Sequence, residues 1–309
     1  MLALLLKLVG EVMNNNLFYG FRGNILFPDQ TTIFNSGLAN NSESKNIIFR
    51  DFFTVIEETK KFESQYQSRI YYLIFKNKYD NILHCQLARK KQFNKRELIE
   101  NDIIEKTDED YPYVNIFIDL KGQKFLIESN TQVFENYNTC SNVIENIINS
   151  KLKDKDIRIE LNPIIEEENF WNYFTETSKV YNIEFKLVVP NMFDAENDAI
   201  NLLKEAQKNI GADIVNMNFC NQEGNLKPDK VGINSFIKYI SDGGGTWKIV
   251  TLNSDGKKEK ISSKQKSTKV NVPIDYDELK KDKLEKEKIL LIINSFNSIE
   301  TVEKFKEKI

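Results

Sequence analysis

The chain has 309 residues, of which 40% are apolar, 29% charged and 11% aromatic, with only 12 Gly and 6 Pro. That composition carries a sizeable core and excludes a disordered, linker or fibrous chain. Forty-three basic against 46 acidic side chains leave a formal charge of −3, so a nucleic-acid surface has to be a local patch.

Residues 1–12 are apolar but lack a basic flank and a small-residue cleavage site. They are too short to span a bilayer, which takes ~20 residues, and read as an N-terminal extension or a surface-packed helix. No later window approaches a membrane span, so the expectation is a cytoplasmic protein. Leu17 to Phe27 reads as a strand around Gly20 and Gly23, and Asn35 to Lys45 as a loop. Ile48, Phe52, Phe53 and Ile56 recur at helical spacing. The runs from Arg69 to Lys76 and Ile82 to Arg89 predict a hairpin.

A steep charge reversal follows. Arg89, Lys90, Lys91, Lys95 and Arg96 face no acid between 84 and 96, whereas 98–110 hold six acids against Lys106. A subdomain boundary is expected there. Val114 to Leu120 and Lys124 to Ser129 predict a second hairpin, and a helix capped by Thr139 or Ser141 carries Val143, Ile144, Ile147 and Ile148. Strands are expected at 157–164, 180–189 and 212–220. Helices are expected at 166–179, its leading glutamates suited to the helix dipole, and at 195–209 and 229–240. Trp247 to Leu252 and Lys269 to Ile274 would pair as the last hairpin after Gly243-Gly244-Gly245, and 276–309 would be helical. The fold class is α+β, with mixed or antiparallel sheets and interspersed helices. Two subdomains, 13–110 and 111–275, would precede a C-terminal helical segment, 276–309.

Few residues carry recognisable chemistry. A single histidine, His84, excludes multi-histidine mechanisms, and it cannot pair with Cys85 because successive strand residues face opposite ways. Cys85, Cys140 and Cys220 lack CxxC spacing, against a disulfide framework or structural zinc. The triple glycine marks a turn, since it lacks the Gly-Lys-Ser/Thr of a phosphate loop. Glu184-Phe185-Lys186 has E-x-K spacing, and with Glu160 could hold Mg²⁺ or Mn²⁺ in a nuclease; otherwise no cofactor is expected. Residues 253–269 carry Lys257, Lys258, Lys260, Lys264, Lys266 and Lys269 against Asp255 and Glu259. Ser262, Ser263, Ser267 and Thr268 would add hydroxyl donors to phosphate. With the patch from Arg89 to Arg96 and its Phe93, this segment is the candidate DNA surface.

The order of elements from Tyr113 to Ile274 carries a resemblance. It comprises a hairpin and helix, then Ala212-Asp213-Ile214-Val215, a Leu226-centred loop, a helix, Asp242-Gly243-Gly244-Gly245 and Val270-Asn271-Val272. This order resembles small phage-exclusion proteins of the lambda RexA type and a bacterial family grouped with them. The resemblance covers roughly half the chain and brings no catalytic motif. It implies a non-enzymatic, dimeric DNA-binding protein of abortive infection and antiphage defence. The expected function is therefore duplex-DNA binding through phosphate contacts. The alternatives are the divalent-metal nuclease and a protein–protein adaptor partnering a second defence protein.

Overall fold

The structure is a computed structural model and describes residues 16–27, 42–155, 157–174, 179–189, 198–280 and 283–304. The expected N-terminal extension and residues 35–41 of the expected loop lie outside them. Strand β1 (Asn16–Leu26) is followed by helix α1 (Ser42–Thr59), which begins inside the stretch read as loop. Strands β2 (Lys61–Tyr66), β3 (Arg69–Tyr79) and β4 (Ile82–Arg89) form an antiparallel meander. The polar region beyond is a hairpin, β5 (Lys91–Ile99) and β6 (Asp102–Asp110), paired at nine positions. Opposite charges across the ladder, such as Arg96 facing Glu105, hold it where no apolar alternation exists. The chain then rejoins β4 through β7 (Tyr113–Asp119) and adds β8 (Lys124–Glu128). Strands from both sides of residue 110 therefore share one sheet, and the division expected there does not divide the fold.

Helix α2 (Tyr137–Leu152) is capped by Asn136, whose Oδ1 accepts from the Thr139 amide at 2.8 Å. Thr139 and Ser141, the expected caps, are inside the helix. Strand β9 (Arg158–Pro163) pairs antiparallel with the second half of β1. Of the helix expected at 166–179, the described residues form a single turn, α3 (Glu168–Trp171), and 175–178 lie outside them. Tertiary packing overrides its pattern: Phe170 is fully buried, with its ring 5.6 Å from Trp247 and 5.7 Å from Phe185. A second sheet follows in the order β11-β10-β12-β13. Its strands are β10 (Val180–Val188), β11 (Ile214–Cys220), β12 (Gly245–Leu252) and β13 (Lys258–Ser262). Helices α4 (Asp198–Ile210) and α5 (Lys230–Tyr239) contribute Leu203 and Ile237 to the core on one of its faces.

The last hairpin is not the one read from the sequence. β12 pairs with β13, setting Ile249 opposite Ile261, while β14 (Lys269–Val272) crosses to the first sheet and pairs with β1. Val270 and Val272 are claimed by a different apolar cluster, on the first sheet. That cluster lies beneath α6 (Tyr276–Leu279) and α7 (Lys286–Lys304), where Ile292 and Phe296 are buried. The C-terminal helix thus docks on the chain's own core. The first sheet runs β14-β1-β8-β7-β4-β3-β2 with β9 also on β1. Phe49, Phe52, Phe53 and Ile56 of α1, with Val143, Ile144, Ile147 and Ile148 of α2, fill its other core. No helix among the described residues is long and apolar enough to cross a membrane.

His84 and Cys85 face opposite cores, as their adjacency on β4 requires. The imidazole is fully buried, stacks on Phe117 with centroids 4.8 Å apart, and bonds Asn115 Oδ1 through Nε2 at 3.0 Å. Burial lowers its pKa to about 4, so the stability tied to its neutral form is present above pH ~6.5 and lost as pH falls through about 4. Because the chain has one histidine, a proton NMR titration reads this group alone. Its ring signals are expected to stay flat from about pH 8 to about 5; a midpoint near pH 6.5 would show an exposed ring.

Candidate nucleic-acid interface

Among the described residues the second sheet packs its apolar core on one face, and the opposite face, buried at Thr246, carries mainly partly or fully exposed side chains. Residues directly opposite in antiparallel strands share a face. The register aligns Lys258 with Leu252, Lys260 with Val250 and Ser262 with Lys248. It continues through Lys248–Glu184–Asn218 and Thr246–Lys186–Asn216. These residues turn away from the core that buries Trp247, Ile249, Ile183 and Phe185. The open face therefore carries Lys186, Lys248, Lys258 and Lys260 with Glu184, and Glu160 reaches Lys186 from β9.

The lysines of that face differ in their company. Lys186 Nζ lies 2.6 Å from Glu160 Oε2, and Lys248 Nζ lies 2.7 Å from Glu184 Oε1. By contrast, Lys257, Lys258, Lys260, Lys264, Lys266 and Lys269 enter no ion pair among the described residues. All but Lys266 are exposed. Lys258 sits 4.1 Å from the Tyr181 ring, while Lys266 and Lys269 each stand 6.0 Å from a ring, Tyr173 and Tyr19. Asn253 Oδ1 folds the β12–β13 turn by accepting from the Asp255 and Lys257 amides, and β13 is a paired edge strand.

Most of the hydroxyls expected to reach phosphate are used internally. Ser263 Oγ accepts from the Trp247 amide at 3.0 Å, Ser267 Oγ donates to the Gly20 carbonyl at 2.9 Å, and Ser262 caps Lys264. Ser263 and Ser267 are buried.

The cluster from Arg89 to Arg96 loses its positive field. Lys90 pairs with Glu109 at 2.6 Å, Lys95 with Glu97 at 2.8 Å and Arg96 with Glu105 at 3.2 Å, while Lys91 stands opposite Asp110. The Lys90 ammonium and the Tyr111 hydroxyl hold Glu109 down at about 2. Arg89 ends β4 with its Nε buried, and Phe93 is opposite Asp108. Glu97 neutralises Lys95 from the same strand, while Glu105, Glu109 and Asp110 act from the facing strand, nine or more residues away in sequence.

Glu160 meets Lys186, and Glu184 lies on the same face of β10 as that lysine, but each carboxylate is bound to a different lysine. Among the described residues no three His, Cys, Asp or Glu side chains converge as metal ligands. Sequence reasoning missed Lys248 and Tyr181; the alternation Thr246, Lys248, Val250 in β12 was the available signal for the former. It also missed Glu145 on α2, which accepts from the Leu161 amide at 2.5 Å. Burial pushes Glu145 up to about 7, against the opposing pull of that amide and of Lys264. Its fold-linked stability is present below pH ~4.5 and lost as pH rises through about 7. Replacing it by Gln keeps an acceptor for Leu161. Urea unfolding between about pH 5 and 8 is expected to show a declining stability that Glu145→Gln flattens, with a gain on the order of 1–3 kcal/mol at pH 8.

Compared with known proteins, the chain matches no family model, no curated protein and no solved structure.

Proposed function

We propose that the chain binds nucleic acid, duplex DNA foremost, through phosphate contacts from Lys257, Lys258, Lys260 and Lys264. The setting is the bacterial defence against phage that the resemblance implies. The observation that carries this reading is the run of exposed lysines on and beside β13 that form no ion pair among the described residues, bordering the face of the sheet turned away from its core. Such contacts position a duplex without reading bases, and each released counterion adds to the salt dependence. The Arg89–Arg96 cluster is left out because its cations are already neutralised. Replacing Lys257, Lys258 and Lys260 by Gln is expected to weaken binding equally for unrelated sequences and to lower the salt slope by up to about three. Replacing Lys90, Lys91, Lys95 and Arg96 leaves both unchanged. Fluorescence anisotropy over a salt series checks this, and an unaltered slope in the first variant overturns it. Cleavage in magnesium or manganese, abolished by Glu184→Ala, would instead favour the nuclease.

A homodimer is proposed on a separate observation. The β5–β6 hairpin is almost wholly exposed, with Leu98 at 75% and Ile103 at 66% directly opposite each other. A lone two-stranded hairpin is marginal in water. A two-fold axis along it would lay the Leu98–Ile103 pair of one copy over that of the other, covering both. Light scattering on the full chain is expected to give a dimer that Leu98→Asp with Ile103→Asp converts to monomer. A wild-type monomer, or an unaffected dimer, would sink the idea.

A further inference from the structure

A cleft of about 150 Å³ opens between the end of β8 and the start of α2. Its walls include Tyr19, Glu128 and Tyr137. The two tyrosine rings lie 4.2 Å apart. Glu128 is 6% exposed, and its Oε2 is saturated by the Asn115 amide and Asn115 Nδ2, both at 2.8 Å. Its other oxygen, Oε1, has no hydrogen-bond partner among the described residues, yet it is not closed off from solvent. Behind it Asn115 Oδ1 is held by His84 Nε2 at 3.0 Å and Gln86 Nε2 at 3.3 Å. That network is neutral, so no cation among the described residues offsets the carboxylate, and burial pushes its pKa up.

A buried carboxylate without a counter-charge is unfavourable, and aromatic walls add attraction for a cation at a ring face. Lys269, 6.0 Å from the Tyr19 ring, already shows that pull. A bare metal ion needs several oxygen ligands, whereas one open oxygen suits a ligand bringing many donors of its own. The guanidinium group is planar, permanently charged, weakly hydrated and stacks on rings. We propose that this cleft binds a guanidinium group, with Glu128 Oε1 receiving its N–H donors and the packed pair Tyr19 and Tyr137 forming the wall beside it. The proposal stands independently of the DNA reading, since it uses none of the β13 lysines.

Guanidinium comes from a free small molecule or from an arginine side chain on a protein, and titration calorimetry separates the two. Agmatine and a blocked Gly-Arg-Gly peptide are titrated into the full chain, with the citrulline peptide as the uncharged isostere. Saturable binding of agmatine alone identifies a small-molecule site, and tighter binding of the peptide identifies a partner's arginine. The citrulline peptide is expected to bind at least about tenfold more weakly, and Glu128→Gln to cost at least about tenfold. Should Glu128→Gln fail to fold, Tyr19→Leu keeps the apolar contact, removes the ring and is expected to weaken both ligands. Absence of binding by either guanidinium compound at millimolar concentration overturns the proposal, as does equal binding of the citrulline peptide.

Discussion

β1 is the constraint on which the rest depends. One side of it pairs with β8, while the other is shared: Asn16 to Tyr19 face β14 and Phe21 to Leu26 face β9. A single eleven-residue strand thus gathers chain from residues 124–128, 158–163 and 269–272. Gly23 permits the approach, because a Cβ there would stand 2.9 Å from the Phe125 ring and 3.0 Å from Phe49. The same strand secures the second sheet. Arg22 and Asn24 bond the carbonyls of Asp242 and Gly243, in a turn where Gly243 has φ 81° and a Cβ would meet Arg22 at 2.5 Å. Gly245, next along, passes so near the Lys186 carbonyl that a side chain would collide with it at 2.1 Å.

Two lysine-rich strands show why composition alone misleads about surface charge. β5 and β13 both read as basic patches, yet β5 is laddered against an acidic strand and β13 against β12, whose only charged side chain, Lys248, is itself a cation. Cross-strand neighbours decide the local field. Apart from Glu97, the neutralising acids lie on the far side of a turn, so a window slid along the sequence separates what the hairpin unites.

Elements with strong periodicity or β-branched and aromatic runs were legible: β3, β4, β7, β8, β10 and the apolar faces of α1 and α2 stand where the spacing puts them. Strands β5 and β6 were not, because solvent on both faces erases the alternation that marks a strand. The partner of β14 was not, because pairing with β1 spans 250 residues or more and depends on burying Val270 and Val272 with Phe18. For the interface, the lysines of 257–269 could be named from sequence, but the open face joining Lys248, Glu184 and Lys186 exists only through register. The cleft was illegible for the same reason, since Tyr19, Glu128 and Tyr137 come from three separate elements.

The second sheet ends in two dissimilar margins. β13 closes one with Lys258 and Lys260, whose repulsion discourages a foreign strand from adding there. β11 closes the other with Ile-Val-Asn-Met-Asn-Phe-Cys, a run without a single charge, and leaves Phe219 44% exposed. Crowded or partly denatured molecules therefore meet no electrostatic barrier on that margin, and strand-to-strand stacking between copies has its easiest start along Ile214 to Cys220.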